Sequence, residues 1–566
     1  MIFNLLSGVP ENLVVLFEIG IMLIIAAVIA FIIKLFKQPL IPAYILTGIL
    51  IGPLFLGLIK NQELIMSLSE IGIAFLIFTA GLEIDFKKLK QVGKTSAFGG
   101  VLQIAILFII AFFISIWFGL AGKVPIYIGL VVAFSSTMVV VKLLYDKREL
   151  SSLHGRIIIG ILLIQDIVAI AALAILTTDF TLNSIIISLV KAIGFAIAAI
   201  LLSKAINPIL KKAARFPELL FLVSISFLFL FAIGASIAQL SVVIGAFFAG
   251  IALANSDFKT EIEGKISPLR DFFAIIFFVA LGMQLQLISK QFFSLLLILL
   301  GLVIILKPLV IMFLIRIFGH RKRTSFLTGN ALAQTSEFSL VIATIGFSLG
   351  HINQELFSTL ILLTIITMSL TTYFIGYERK LFSLFSWPLN IFNRFKSTKE
   401  QLEYFLEDGP KIVIFGCHRI GSLLLKEFEK EKKKIIVVDY NPEIISSLIQ
   451  KKIPCIYGDF INEEILGKVD VKNIEVMIST IPDLEDNLLL IKKTKKLNSK
   501  VLIFVVANRI SEALELYKTG ADYVILPQII GGQKAYGIIK KINKSSLKDL
   551  KKEHLKYLNS IHRILY

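Results

Sequence analysis

Up to about residue 378 the chain consists of long apolar stretches separated by short polar segments. About thirteen of these stretches have the length of a membrane-spanning helix, roughly 17 to 25 residues. They lie approximately at 13–36, 39–59, 65–84, 97–120, 124–145, 156–177, 182–204, 218–240, 241–254, 271–287, 291–315, 324–349 and 355–377. The pattern predicts a multi-spanning α-helical membrane domain over residues 1–378.

The pattern changes after a linker at 379–409. Short β-branched runs alternate there with amphipathic helical stretches, as in a doubly wound parallel sheet of the Rossmann type. We expect this α/β domain at 410–530 and a helical tail at 531–566. The predicted strands are Lys411–Gly416, Lys434–Asp439, Ile453–Tyr457, Glu475–Thr480, Val501–Val506 and Tyr523–Leu526.

Composition supports the membrane assignment. The chain is 56% hydrophobic and only 17% charged, with a mean hydropathy of +0.85, which excludes a nuclear, secreted or purely cytosolic protein. The net charge of +18 comes without a nucleic-acid-reading motif, so no nucleic-acid partner is expected. Both cysteines, Cys417 and Cys455, fall in the tail, which suits a reducing cytosol without disulfides.

Loop charge predicts the orientation. Lys and Arg cluster in every second loop between the predicted spans, while the intervening loops carry only Lys60, Lys123 and Lys290. Because cytoplasmic loops collect Lys and Arg, the N-terminus is expected outside and the C-terminal domain in the cytosol. No basic residue precedes the first apolar run, so that run is expected to be a retained span.

Two predicted spans, the fifth and the twelfth, are interrupted by polar residues at nearly the same depth. Their offset of seven spans makes the two copies inverted repeats, and broken helices in corresponding places point to a midplane binding site. The alternative is that these hydroxyls only bond back to helix carbonyls. The interruptions are Ser135-Ser136-Thr137 and Gln334-Thr335-Ser336-Glu337.

Asp166 lies in the middle of the sixth predicted span, after Gln165. A carboxylate at this depth must be neutralised by a proton or by a monovalent cation with further oxygen ligands, and a site that takes either but not both is an antiporter. The alternative is an ion pair between helices. Lys307, in the eleventh span, is open to two interpretations: support of the site, or a structural salt bridge to Glu337.

The first turn of the predicted sheet follows a strand and opens a helix, as in dinucleotide-binding domains. Asp439 ends the second strand, where a carboxylate meets a ribose hydroxyl. Because His418 replaces the middle glycine, AMP or ADP is favoured at least as much as NAD(H), and a fold kept only for dimer packing is the alternative. No substrate domain follows, so no hydride-transfer enzyme is expected. The turn reads Gly416-Cys417-His418-Arg419-Ile420-Gly421.

Taken together, these motifs resemble the Kef-type branch of the monovalent cation:proton antiporter-2 family, in which an exchanger domain precedes an RCK (TrkA-N) domain. The resemblance spans nearly the whole chain. The residues that carry it are Gly81-Leu82-Glu83, Ser135-Ser136-Thr137, Gln165-Asp166, Lys307, Ala333-Gln334, Ser336-Glu337-Phe338, the turn at 416–421 and Tyr457-Gly458-Asp459.

The resemblance implies a secondary transporter of the prokaryotic plasma membrane, not an enzyme. It implies crossing broken helices that move against a dimerising domain, with cation and proton binding at Asp166. Gln165, where sodium exchangers often carry a second acid, favours potassium and a one-for-one cycle. The tails of such proteins pair in a homodimer and gate transport with nucleotide, and some members respond to glutathione or use an ancillary subunit. Transport itself needs no cofactor.

Other functions remain open at this point. A sodium/proton antiporter would share the architecture, since Gln165 is only one contact. A ligand-gated potassium channel would also carry RCK tails, but the sequence lacks a TVGYG-like filter. A nutrient receptor without transport would have no use for Asp166.

Overall fold

The structure is a computed structural model of the chain. It describes residues 11–36, 38–59, 62–84, 93–147, 149–150, 152–178, 180–320, 322–385, 403–404, 410–417, 419–430, 434–439, 441–458, 465, 469, 471–540 and 555. The chain divides into two compact units: Met1–Leu150 with His154–Lys396, and Ser151–Leu153 with Ser397–Tyr566.

The first unit is entirely helical where it is described. Its helices are α1 (Glu11–Leu35), α2 (Leu40–Ile51), α3 (Gln62–Glu83), α4 (Lys94–Trp117), α5 (Val124–Ala133), α6 (Thr137–Asp146), α7 (Leu153–Leu176), α8 (Leu182–Ala213), α9 (Pro217–Ile237), α10 (Val242–Ala254), α11 (Lys259–Met283), α12 (Lys290–Gly301), α13 (Lys307–Ile317), α14 (Lys322–Ala331), α15 (Glu337–Ser348), α16 (Gln354–Gly376) and α17 (Glu378–Phe385). A five-residue π-helical segment, Leu302–Leu306, joins α12 to α13.

The predicted multi-spanning helical domain is confirmed. Among the described residues, ten helical segments are long and apolar enough to cross a membrane, and α2, α10 and α15 are shorter apolar helices. The tenth predicted span differs most, because α11 begins at Lys259, well before 271, and continues through Pro268. Its first turns carry the charges that ended the apolar run in the sequence.

The second unit is a parallel sheet with helices between its strands, as predicted. Strand order is β1-β4-β3-β2-β5-β6-β7, and only β1 is antiparallel to its neighbour. All six predicted strands are present within one or two residues of their expected ends. The edge strand β1 was not predicted, because two residues carry no alternation. The strands are β1 (Glu403–Tyr404), β2 (Ile412–Phe415), β3 (Ile435–Asp439), β4 (Cys455–Tyr457), β5 (Val476–Ser479), β6 (Leu502–Val506) and β7 (Tyr523–Ile525).

The helices of this unit follow the strands in alternation. The last of them crosses the expected boundary at 530, because the residues after Pro527 continue one helical run. They are α18 (Arg419–Lys430), α19 (Pro442–Gln450), α20 (Leu484–Leu497), α21 (Ile510–Thr519) and α22 (Pro527–Lys540).

Glycines let two pairs of membrane helices approach closely. A Cβ atom on Gly282 of α11 would lie 2.1 Å from the Ile45 carbonyl oxygen of α2, and one on Gly48 would lie 2.0 Å from the Val279 oxygen. The α3–α10 contact has the same character, since a Cβ on Gly250 would lie 2.1 Å from the Phe78 oxygen. Small residues at such crossings are how membrane helices gain packing energy in lipid.

We expect Gly282→Ala to destabilise the folded protein by roughly 1–3 kcal/mol, because the added methyl group meets backbone that cannot move aside. The matched control is Gly264→Ala on the same helix, where a Cβ meets nothing within 4 Å. Thermal unfolding of the purified protein in detergent measures the difference. Equal melting temperatures for the two variants would contradict the close α2–α11 contact.

Candidate cation and nucleotide sites

Two membrane helices are broken where the sequence predicted. Helix α5 ends at Ala133, residues 134–136 are extended, and α6 begins at Thr137. Helix α14 ends at Ala331, and α15 begins at Glu337 after an irregular segment. Each break leaves backbone N–H and C=O groups without helical partners, which in a membrane must be satisfied by other protein groups.

The two breaks contact each other directly. The Ser135 hydroxyl donates to the Leu332 carbonyl oxygen at 3.1 Å, and the Ser136 hydroxyl donates to Glu337 Oε1 at 2.5 Å. Gln334 Nε2 reaches the Ser136 carbonyl oxygen at 3.4 Å. These bonds join the broken segments into one buried polar centre.

Serines cap the second halves of both broken helices. The Ser136 hydroxyl accepts from Val139 N–H, and the Ser336 hydroxyl accepts from Phe338 N–H, both at 3.2 Å. Ser339, which the sequence reading missed, accepts from Ser336 N–H at 3.2 Å and donates to the Val131 carbonyl oxygen at 2.8 Å. The spacing Ser336-x-x-Ser339 is a capping pattern and could have revealed it.

Lys307 satisfies the carbonyl side of the crossing. Its ammonium is fully buried and donates to the carbonyl oxygens of Val132 at 3.0 Å, Phe134 at 2.7 Å and Gln334 at 2.7 Å. Three donors meet three acceptors, so the ammonium is satisfied by backbone. The interpretation of Lys307 as a salt-bridge partner of Glu337 does not describe this geometry; Glu337 instead accepts from Ser136.

Asp166 lies on α7 beside the first break. The Thr137 hydroxyl, in the first turn of α6, lies 3.2 Å from Asp166 Oδ1 and 3.1 Å from Oδ2. The carboxylate is half-buried. It therefore faces the N-terminal end of a half-helix, where the helix dipole favours negative charge. Glu337 occupies the equivalent place in the first turn of α15.

Gln165 connects the carboxylate helix to the break. Its Oε1 accepts from Ser135 N–H at 2.8 Å, so a side chain replaces the helical acceptor that the break removed. Its Nε2 and Gln334 Oε1 are buried atoms without a hydrogen-bond partner among the described residues. The structure thus brings together all the membrane residues singled out from the sequence: Ser135, Ser136, Thr137, Gln165, Asp166, Lys307, Gln334, Ser336 and Glu337. In the described part of the chain, no group of three or more His, Cys, Asp or Glu side chains could hold a metal ion.

A second polar cluster joins the far ends of the two broken helices. Lys123 Nζ lies 2.9 Å from His351 Nε2, and the Tyr127 hydroxyl lies 2.7 Å from His351 Nδ1. An ammonium only donates, so Nε2 accepts and the imidazole is neutral with its proton on Nδ1. Burial, followed by the Lys123 charge, lowers the pKa of His351 from its ordinary value. Lys123 also lies over the Phe180 ring, 4.8 Å from its centroid.

The glycine turn of the α/β unit is built closely. Gly416 has φ +84°, and a Cβ on Gly421 would lie 1.9 Å from the Gly416 carbonyl oxygen, so neither position accepts a side chain without strain. The Thr480 hydroxyl donates to the same oxygen at 2.8 Å. Strand β2 therefore passes directly into α18, which begins at Arg419 with Ile420 in its first turn.

Asp439 supports this turn from the next strand. Its Oδ2 accepts from Cys417 N–H and its Oδ1 accepts from Asn441 N–H, each at 2.7 Å. The carboxylate thus lies beside the turn, as expected for a ribose-binding acid, but it also orders the turn's backbone. His418 and Asp459 lie outside the described residues.

The fold and the crossing define a class of protein: a secondary transporter built on inverted repeats, with an α/β regulatory-type domain. A family profile described as "Sodium/hydrogen exchanger, transmembrane" matches residues 21–376, and a TrkA-N domain profile matches residues 412–527. The chain belongs to the sodium/hydrogen exchanger family and carries a TrkA-N domain. The resemblance stated from its motifs is confirmed, and the chain is a transporter rather than an enzyme.

Two relatives match most of the chain. The putative cation/proton antiporter YbaL of Escherichia coli strain K12 is 27% identical over 519 residues, covering 87% of this chain and 91% of the relative. The glutathione-regulated potassium-efflux system protein KefC of Escherichia coli O81 is 26% identical over 494 residues, covering 85% and 77%. The sodium proton antiporter MjNhaP1 of Methanocaldococcus jannaschii shares the membrane fold, with a TM-score of 0.52 and 19% identity over 68% of this chain and 99% of that structure.

The His351 cluster predicts a pH dependence of stability. Because the folded protein lowers the pKa of His351, the stabilisation is present above the ordinary histidine pKa of about 6.5 and is lost as the pH falls through the lower folded value. A protonated imidazole loses the acceptor for Lys123 and faces a like charge. We expect the melting temperature in detergent to fall less for His351→Gln than for wild type between about pH 8 and pH 5, because Gln accepts and donates at every pH.

The control for this measurement is His320→Gln, which alters a histidine bound to the Thr95 hydroxyl. It should retain the wild-type pH dependence. An unchanged pH dependence in His351→Gln would show that the cluster does not titrate in this range.

Proposed function

We propose that the protein exchanges potassium for protons by alternating access, with the cation and the proton competing for Asp166. The observation that carries this is the half-buried Asp166 carboxylate beside two broken, crossing helices, with the Thr137 hydroxyl 3.1 Å from Oδ2. Membership of the exchanger family supports it.

Competition follows from the cost of a bare carboxylate at this depth. A proton neutralises Asp166 directly, and a monovalent cation does so when further oxygens replace its water. The Thr137 hydroxyl is close enough to supply one such oxygen, and the backbone carbonyls freed at the breaks are candidates for others. Since either ligand satisfies the carboxylate and both together do not, each passage of one requires release of the other.

The remaining charges of the crossing suit a site that changes by one charge. Lys307 is committed to three backbone carbonyls, and Glu337 is engaged by Ser136. We infer that these two hold the crossing in shape while Asp166 cycles. A single cycling carboxylate exchanges one cation for one proton, which is an electroneutral cycle.

Potassium is preferred over sodium in this proposal for two reasons. Gln165 stands beside Asp166 where a second carboxylate would favour binding of another positive charge, and the Gln165 Oε1 atom is already engaged by Ser135 N–H. The relative KefC is named as a potassium-efflux protein. Sodium/proton exchange at the same residues is the alternative.

We expect Asp166→Asn to abolish proton-coupled cation flux while the protein stays folded, because an amide neither titrates nor carries the charge that binds a cation. Proteoliposomes with a preset pH gradient and a fluorescent pH probe receive potassium, sodium, lithium or choline in turn. Potassium should collapse the gradient in wild type only.

The matched control is Asp146→Asn, an exposed carboxylate at the end of α6 that should exchange like wild type. Retained exchange in Asp166→Asn would contradict the assignment. A wild-type response to sodium alone would select the alternative ion, and potassium leak without proton movement would favour a channel.

We propose that the TrkA-N domain binds a regulatory nucleotide at the Gly416–Gly421 turn, with Asp439 and Asp459 beside the ribose and phosphates. The tight turn and the N-terminus of α18 support an anion site there. The proposal keeps the domain limits 1–378, 379–409, 410–530 and 531–566, a homodimer formed through both domains, and an N-terminus outside with a cytosolic tail. An ancillary subunit and response to glutathione belong to the same proposal.

Because His418 occupies the position of the middle glycine, we expect AMP or ADP to bind the full-length protein more tightly than NADH. Calorimetry in detergent with AMP, ADP, NAD and NADH measures this. His418→Gly should raise NADH affinity by opening space for the pyrophosphate. Tightest binding of NADH by the wild type would contradict the role given to His418.

A further inference from the structure

Gln103 on α4 is a polar side chain without an evident structural purpose. It is 1% exposed, and neither its Oε1 nor its Nε2 has a hydrogen-bond partner among the described residues. A buried amide without partners costs free energy that an apolar residue would avoid. Its neighbours on the buried face, Ile104 and Leu107, are apolar. Gln103 therefore calls for an explanation outside its own helix.

Packing of α4 on α7 places Gln103 beside the carboxylate helix. The Ser96 hydroxyl donates to the Ile157 carbonyl oxygen at 3.2 Å, and a Cβ on Gly100 would lie 3.3 Å from Ile164. Residues 96, 100 and 103 recur at i, i+4 and i+7 and so share one face of α4. That face, followed one turn beyond Gly100, reaches the depth of the α7 residues next to Ile164.

Packing of α4 on α5 gives the same depth independently. A Cβ on Gly129 would lie 3.1 Å from the Phe108 carbonyl oxygen, and the short connection at 118–123 makes these helices antiparallel. Five residues back from Phe108 is Gln103, and five residues on from Gly129 is Phe134, the first residue of the break. Equal rise per residue therefore puts Gln103 level with the break.

Gln165 presents the complementary group in this layer. Its Oε1 accepts from Ser135 N–H at 2.8 Å, but its Nε2 lacks a hydrogen-bond partner. Gln103 offers both an acceptor and a donor. Since the two amides are not directly bonded, one bridging water would satisfy polar atoms on both at small cost.

We propose that Gln103 is a positioning residue of the cation site: through a bridging water it fixes the amide orientation of Gln165, which keeps Oε1 on Ser135 N–H at the break. The inference rests on the proposed cation site at Asp166. Without Gln103 the Gln165 amide rotates, the Ser135 N–H loses its acceptor, and the oxygens around Asp166 shift. Cation affinity and the preference between potassium and sodium then change, while the proton-binding carboxylate itself remains.

The test compares Gln103→Leu and Gln103→Met with wild type in proteoliposome exchange assays. Both variants keep the side-chain volume and remove the amide, and two shapes guard against misfolding of one. We expect the KM for potassium to rise roughly three- to tenfold, the loss of about one neutral hydrogen bond. We expect kcat to stay within about twofold and the ratio of potassium to sodium KM values to move toward one.

The control is Ser115→Ala, which removes another buried hydroxyl of α4 that bonds only to its own helix, at Phe112 O. It should leave both KM values unchanged. A fall in kcat alone, or unchanged KM values in both Gln103 variants, would overturn the role of Gln103. If Asp166→Asn still exchanges, the proposed site fails; if Asp166→Asn is inactive but the Gln103 variants match wild type, only this inference fails.

Discussion

The structure depends on one constraint: a helix broken inside a membrane exposes backbone groups that lipid cannot satisfy. The chain breaks two helices at the same depth and crosses them, so each supplies partners for the other. Ser135 and Ser136 bridge the breaks, and Lys307 donates to three carbonyl oxygens that the breaks leave exposed. The polar centre that results is both the structural weak point and the place where an ion can lose its water.

The crossing also sorts charge by helix polarity. Carbonyl ends of half-helices meet the positive Lys307, whereas the N-terminal ends of α6 and α15 meet the carboxyl groups of Asp166 and Glu337. Lys307 and Glu337 are held by several groups, but Asp166 is held only by the Thr137 hydroxyl among the printed side-chain contacts of the crossing. In our account this difference separates charges that maintain the crossing from the one that exchanges ligands. The remote Tyr127–His351 contact joins the far ends of the same two helices.

The spans, both breaks and the six longer strands were predictable because they follow from local patterns: apolar length, polar interruption and β-branched runs. Partners across the fold were not. Lys307 was expected to pair with Glu337, yet it bonds to carbonyls whose exposure depends on how the breaks cross. His351 and Tyr127 are 224 residues apart, and Gln103 is a single polar residue in an apolar helix. The two-residue strand β1 is too short for any period.

The central claim is that cation and proton compete for one carboxylate, and proton release on cation binding tests it most directly. Purified protein in weakly buffered detergent, near the pH at which Asp166 is half protonated, is titrated with potassium chloride against choline chloride while released protons are counted. The account predicts proton release that saturates at no more than one proton for each cation bound and disappears in Asp166→Asn. Cation binding without proton release in wild type, or equal release in Asp166→Asn, would contradict it.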